Sequence, residues 1–160
     1  YHIENGKVDF LGATKVVNDH RGRFRGIDVA PRWSKLINQE LAAFLYKEEL
    51  FGEWYHKIIP EELGSLLNQY NGPVSIDAMV WRDSYGRLCL RKIVELNVRM
   101  TMGRVALDLQ KKMAANKFCS LRIEKKNSFK GEEGLVLNDP EKAIEFLAVW
   151  KVNENEMIRN

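Results

Sequence analysis

Cysteine and histidine are scarce in this 160-residue chain, which contains two cysteines and three histidines. Cys89 and Cys119 cannot form a Cys-x-x-Cys pair or a four-ligand zinc site, and the histidines do not have the spacing of metal ligands. These scarcities exclude redox-motif and zinc-finger proteins. We therefore expect both thiols to be reduced and chemically inert, as is usual in a cytoplasmic protein.

Long apolar runs and an excess of one charge are also missing. No stretch approaches the roughly 20 apolar residues that a membrane-spanning helix requires. The 25 basic and 22 acidic residues leave a net charge of +3, and the two signs are interspersed along the chain. The only dense basic run is HRGRFRG at 20–26. We therefore expect neither a membrane nor a nucleic acid to be the partner.

What remains is an ordinary globular composition, with 45% hydrophobic and 29% charged residues. It excludes a disordered tail, a collagen-like repeat and a coiled coil. No internal repeat, low-complexity segment or linker interrupts the chain, so we expect residues 1–160 to form one domain. Because the chain opens with Tyr1 inside a strand-like pattern, we also expect it to be a piece of a longer protein.

Alternating patterns and turn signals predict mainly antiparallel β-structure. Asn5-Gly6 is a strong hairpin-turn signal, because both residues tolerate positive φ. The predicted strands are a meander of His2–Ile3, Val8–Val17 and Phe24–Val29, a hairpin of Val74–Trp81 and Leu88–Asn97, and a strand over Phe118–Ile123.

Apolar spacing at three- and four-residue intervals predicts the helices. One covers 32–50, and a second runs from Pro60 to a C-cap at Asn71-Gly72. A third follows Thr101 to about Ala115, with Val105, Leu109 and Met113 facing inward. A last one runs from the cap at Asp139 to Val152. The expected fold is α+β, a mainly antiparallel sheet with helices packed on one face.

Polar side chains at two-residue intervals mark the second strand of the hairpin. Glu95, Asn97 and Arg99 are expected on one strand face, about 7 Å apart. Carboxylate and amide oxygens suit Mg²⁺, and an arginine beside them can neutralise a phosphate. Asp77, on the neighbouring strand, is the natural second carboxylate. The intervening residues are expected to supply a core: Val94, Leu96 and Val98.

The segments IDAMV (76–80) and KIVELNVRMTMG (92–103) resemble the metal-binding hairpin of the ATP-grasp superfamily of ATP-dependent carboxylate–amine and carboxylate–thiol ligases. The meander at 8–26 resembles the strands that precede this hairpin. The resemblance implies that Asp77, Glu95 and Asn97 bind Mg²⁺ ions bridging the nucleotide phosphates, and that Arg99 lies near the transferred phosphate. It also implies ATP and Mg²⁺ as cofactors, a small-molecule carboxylate and an amine as substrates, and an acyl-phosphate intermediate.

Members of this family hold ATP between two α+β subdomains, and the first supplies lysines and a glycine-rich loop. The sequence contains no GxxxxGK motif, and Gly12, Gly22 and Gly26 are isolated. Ser75 stands where many peptide-type ligases have an arginine. We therefore expect this chain to be the C-terminal half of such a protein, with the N-terminal subdomain missing. It would then bind ATP and Mg²⁺ weakly and be inactive alone.

The residues leave a second function open, that of a non-catalytic α+β binding module. Arg21, Arg23 and Arg25 are expected to alternate onto one strand face of the basic hairpin. This face could bind an anionic partner.

Overall fold

The computed structural model describes residues 1–47, 50–131 and 134–153. It confirms the α+β class, and all strand pairings in these ranges are antiparallel. The chain divides into two compact units, one formed by residues 1–12 and 37–104 and the other by residues 13–36 and 105–160. Within the described ranges, no helix has the length and apolar character to cross a membrane.

The first unit contains a small three-stranded sheet in the order β2-β1-β5. Its strands are β1 (His2–Glu4), β2 (Lys7–Asp9) and β5 (Gly72–Pro73). The predicted Asn5-Gly6 turn joins β1 to β2, and both of its residues have positive φ (51° and 76°). Gly72 was expected to cap a helix, but it pairs with Ile3 in this sheet. The prediction was wrong because the preceding helix already ends at Leu66.

The helices of the first unit differ from the predicted ones in where they begin. Asn38 accepts a hydrogen bond from the Leu41 amide (2.8 Å) and caps α1, which runs over Gln39–Lys47. The predicted helix over 32–50 is therefore interrupted before residue 39, and its positions 48 and 49 lie outside the described residues. From Leu50 onward, helical structure runs without a break through α2 (Leu50–Glu53), a π-helical turn (Trp54–Ile58) and α3 (Ile59–Leu66).

The predicted hairpin is confirmed as an antiparallel ribbon of β6 (Ser75–Arg82) and β7 (Leu88–Asn97). Asp83 stabilises its turn by accepting hydrogen bonds from the amides of Tyr85 and Arg87, both at 2.9 Å. The predicted core on this ribbon was wrong. Its three members are between 38 and 49% exposed on a ribbon of only two strands: Val94, Leu96 and Val98.

The second unit is built on a five-stranded sheet in the order β3-β4-β8-β10-β9. Its strands are β3 (Lys15–Asn18), β4 (Phe24–Val29), β8 (Phe118–Lys125), β9 (Leu135–Val136) and β10 (Phe146–Asn153). Alternating residues of the inner strands are buried, including Ile27, Val29, Cys119, Leu121, Leu147 and Val149. The sheet therefore supplies the core of this unit.

The predicted meander of the first 29 residues is wrong in its middle strand. The segment predicted as one strand over Val8–Val17 is divided into β2, which ends at Asp9, and β3, which begins at Lys15. Gly12, with φ at 151°, lies between them. The two parts belong to different sheets. The alternation of apolar and polar residues continues from one part to the other, so it gives no sign that the chain changes sheets.

The predicted last helix, over 139–152, is also wrong. Asp139 makes the expected cap, because its Oδ1 accepts the Glu141 amide (2.9 Å) and its carbonyl accepts the Ala143 amide (3.0 Å). Only one turn follows, and β10 then pairs with β8 along its whole length. A short apolar run such as FLAVWKV cannot be assigned to helix or strand from periodicity alone.

The helix after Thr101 is confirmed as α4 (Met102–Met113). The Thr101 hydroxyl accepts a hydrogen bond from the Arg104 amide (3.4 Å), as expected of an N-cap. The predicted buried stripe is displaced. Ala106 and Gln110 are the buried positions, whereas Met113 is 53% exposed.

Candidate functional site

Two carboxylates face each other across the β6–β7 ribbon. Asp77 is the direct cross-strand neighbour of Glu95, so both side chains project from the same face, and both residues are exposed. Direct neighbours in an antiparallel pair have Cβ atoms about 5 Å apart, and like charges at this distance are destabilising. The structure thus brings together two acidic groups whose repulsion a cation would relieve.

The pKa of Asp77 reflects this environment. Although the residue is exposed, partial loss of solvent around its carboxyl group is the main factor that raises this pKa above its ordinary value, and the negative charge of Glu95 raises it further. The guanidinium group of Arg99 acts in the opposite direction and lowers this pKa. The charges of Glu95 and Arg99 therefore both act on Asp77.

Asn97 is a buried residue at the end of β7, whereas Arg99 lies beyond the strand. Asn97 pairs directly with Ser75 and is only 7% exposed. The Ser75 hydroxyl donates a hydrogen bond to Thr101 Oγ1 (3.2 Å), which connects this end of the ribbon to the cap of α4. Arg99 was expected on the same strand face as Glu95, but β7 ends at Asn97 and strand alternation no longer applies to it. Its position relative to Asp77 is therefore set by the loop that follows the strand.

The register of the ribbon changes next to the two carboxylates. Asp77 pairs with Glu95, but the next pair along the ribbon is Met79 with Arg91. Ala78 alone therefore lies opposite three residues of β7, Lys92–Val94, in a bulge. Arg91 lies on the same face as the two carboxylates, one residue pair further along the ribbon. Neither feature could be predicted from the sequence, because a bulge has no composition signal of its own.

A cluster of three or more His, Cys, Asp or Glu side chains able to hold a metal is not found in residues 1–47, 50–131 and 134–153. The predicted site has two carboxylates and an amide. Mg²⁺ is usually bound by one or two carboxylates together with water and substrate phosphates. The donor set at Asp77, Glu95 and Asn97 is therefore of the type that a magnesium–nucleotide complex uses.

The basic hairpin is organised by Asp19. One carboxylate oxygen of Asp19 accepts the amides of Arg21 (2.9 Å) and Arg23 (3.0 Å), and the other pairs with the Arg25 guanidinium (3.0 Å). These hydrogen bonds lower the pKa of Asp19, and the hydrogen bond from the Arg23 amide has the largest effect. Because β4 begins at Phe24, Arg21 and Arg23 lie in the turn. The expectation that all three arginines share one strand face was therefore wrong.

No protein-family model, no curated protein and no solved structure matches this chain. Its fold and its site define it as an α+β protein with an exposed pair of carboxylates on a bulged β-ribbon. The function must therefore be inferred from the chemistry of that ribbon.

Proposed function

We propose that this chain is the metal-binding half of an ATP- and Mg²⁺-dependent carboxylate–amine ligase of the ATP-grasp type. The observation that carries the proposal is the direct pairing of Asp77 with Glu95 on an exposed face. Two opposed carboxylates destabilise a ribbon, and a bound cation would remove their repulsion. Since the reaction would consume ATP, we also propose that the protein acts in the cytoplasm.

The side chains present fit a magnesium ion. Asp77 and Glu95 would supply carboxylate oxygens and Asn97 an amide oxygen, all of them hard ligands. Desolvation and, after it, repulsion from Glu95 raise the pKa of Asp77, and a bound cation would remove the repulsion. When bound, the ion would supply charge neutralisation for the nucleotide phosphates.

The arginine at this end of the ribbon, Arg99, is suited to bind an anionic group of the substrates. We assign Arg99 to the transferred phosphoryl group, because its charge already acts on Asp77. In the proposed reaction, the substrate carboxylate attacks the γ-phosphorus of ATP and releases ADP, which leaves an acyl phosphate. The amine then attacks the acyl carbon, loses a proton and displaces inorganic phosphate, which leaves an amide.

Replacement of one metal ligand tests this proposal. We expect Glu95→Gln to abolish the Mg²⁺-dependent part of ATP binding, measured by NMR titration of this chain with ATP with and without Mg²⁺. Glu4→Gln is the matched control, because Glu4 is also an exposed strand glutamate of the first unit. Equal Mg²⁺-dependent binding by Glu95→Gln and the unmodified chain would contradict the proposal.

The alternative function, binding of an anionic partner by the basic hairpin, has weaker support. One of its three arginines, Arg25, is paired with Asp19 and is not available to a partner. Salt-sensitive binding of a polyanion in the absence of Mg²⁺ would favour this alternative. Nucleotide binding that requires Mg²⁺ would favour the ligase.

A further inference from the structure

The bulge in β7 determines which residue faces Asp77. From the turn to the pair of Met79 with Arg91, the two strands pair without interruption. Continued in the same register, β7 would place Ile93 opposite Asp77 and Glu95 opposite Ser75. The bulge displaces β7 by two residues, so that Glu95 takes the place of Ile93. A displacement of two also keeps the side chains on their original faces.

The turn at the other end of the ribbon is fixed independently. Asp83 accepts hydrogen bonds from two turn amides, and its own amide donates to the Arg87 carbonyl (3.0 Å). The ribbon therefore cannot change register at its turn without breaking these hydrogen bonds. Residues 92–94 therefore determine whether the ribbon is bulged or regular.

Two contacts from the π-helical turn hold this bulge. The hydroxyl of Tyr55 donates a hydrogen bond to the Lys92 carbonyl (2.9 Å). The Lys92 ammonium group lies 3.5 Å from the centre of the Trp54 ring, in a cation–π contact. Both contacts reach the first residue of the bulge from consecutive positions of one turn. Both π-helical turns and β-bulges are concentrated near functional sites.

Tyr55 is itself held rigidly. Its side chain is 8% exposed, its ring lies 5.3 Å from that of Phe51, and its carbonyl accepts a hydrogen bond from the Tyr1 hydroxyl (2.9 Å). Burial raises the pKa of Tyr55 to about 12, so its hydroxyl keeps the proton that it donates to Lys92 throughout the physiological pH range. A buried, protonated donor is well suited to fix one backbone carbonyl.

We propose that Tyr55, assisted by Trp54, is a positioning residue that holds the β7 bulge and thereby sets Glu95 opposite Asp77. The part of this inference that concerns cation binding rests on the proposed function. The part that concerns strand register does not. Partners that orient metal ligands typically change metal affinity by 10–100-fold when they are removed.

Tyr55→Phe removes only the hydroxyl group and is the principal test. We expect cross-strand backbone NOEs between residues 77 and 95 to weaken and NOEs between residues 77 and 93 to appear. We also expect the dissociation constant for Mn²⁺, a paramagnetic substitute for Mg²⁺, to rise roughly tenfold. Tyr70→Phe is the matched control, because its hydroxyl also donates to a backbone carbonyl, that of Pro73 (3.0 Å), but outside the bulge. It should preserve both the NOEs and the affinity.

The two readouts separate this inference from the proposed function. Unchanged NOEs in Tyr55→Phe, or equal changes in Tyr70→Phe, would overturn the inference. A changed register in a chain that binds no Mn²⁺ even when unmodified would support the positioning role and reject the metal site. If Tyr55→Phe does not fold, the unmodified chain supplies a second measurement, the exchange rate of the Tyr55 hydroxyl proton. A hydroxyl proton that is protected from exchange and has an NOE to residues 92–94 supports the inference, and an unprotected one overturns it.

Discussion

Individual residues at the site work against the stability of the ribbon. Asp77 and Glu95 are like charges that face each other directly across the two strands. Sites that bind ligands often retain such unfavourable groups because their replacement would remove function. The balance between stability and binding can therefore be tested at a single residue.

We expect Asp77→Asn to stabilise the protein at pH 7 while it weakens Mn²⁺ binding. The mutation removes a cross-strand repulsion of about 0.5 kcal/mol, which corresponds to a rise of about 2 °C in the unfolding midpoint. Thermal unfolding followed by circular dichroism measures this change. An Asp77→Asn protein that is less stable than the unmodified protein at pH 7 would show that the carboxylate is held by favourable contacts.

The stability gain of Asp77→Asn should also depend on pH. The pKa of Asp77 is raised in the folded state, so the folded protein binds this proton more tightly than the unfolded chain does. Ionised Asp77 destabilises the folded protein. This destabilisation is absent below the pKa of the group in the unfolded chain, about 3.9, and develops as the pH rises through its higher pKa in the folded protein. The difference between the two proteins should therefore be present at pH 7 and vanish at pH 3.

At the scale of elements, β4 and β8 approach each other closely because Gly26 has no side chain. A Cβ atom at this position would lie 2.2 Å from the Leu121 carbonyl oxygen. Gly26 pairs with Arg122 in the middle of the five-stranded sheet. The close packing of these two strands therefore requires glycine.

Two glycine-to-alanine substitutions should have opposite effects on stability. We expect Gly26→Ala to lower the free energy of unfolding by about 3 kcal/mol or more, because the strands must separate. Gly52→Ala, in α2, should raise it by about 0.5–1 kcal/mol, because a Cβ there meets no atom within 4 Å and alanine favours helix. Urea unfolding measures both. A neutral Gly26→Ala would mean that the two strands lie further apart than described.

At the scale of the whole molecule, the proposed chemistry needs more than the ribbon provides. Phosphoryl transfer depends on positioning and on charge stabilisation by several groups around the nucleotide. The sequence has no glycine-rich phosphate loop of the GxxxxGK type. The carboxylates, the amide and the arginine of one ribbon would therefore hold the nucleotide from one side.

We expect this chain alone to be folded but inactive, and to bind Mg-ATP with a dissociation constant in the mM range, worth about 4 kcal/mol. Isothermal titration calorimetry with Mg-ATP measures the affinity, and the same titration in EDTA is the control that should lose the Mg²⁺-dependent heat. Micromolar affinity, or ADP release with any carboxylate–amine pair, would show that the chain needs no further subdomain.

The sequence alone was sufficient for features that depend on neighbouring residues. The Asn5-Gly6 turn, the ribbon with its turn at 83–87 and the cap at Thr101 are decided by local backbone preferences and alternation. That Asp77 and Glu95 lie on one face also follows from alternation, whereas their direct pairing depends on the bulge. Because these signals act within a few residues, they can be read without knowledge of the fold.

Only the tertiary structure decided the features that depend on distant residues. The segment 146–153 is a strand because β8 is available to pair with it, although its own cap signal favours a helix. Val94 and its neighbours in β7 are exposed because the ribbon has two strands. The register at Glu95 is held by Tyr55, which contacts a residue 37 positions further along the chain. Such contacts form only when folding brings the two segments together, so no local pattern contains them.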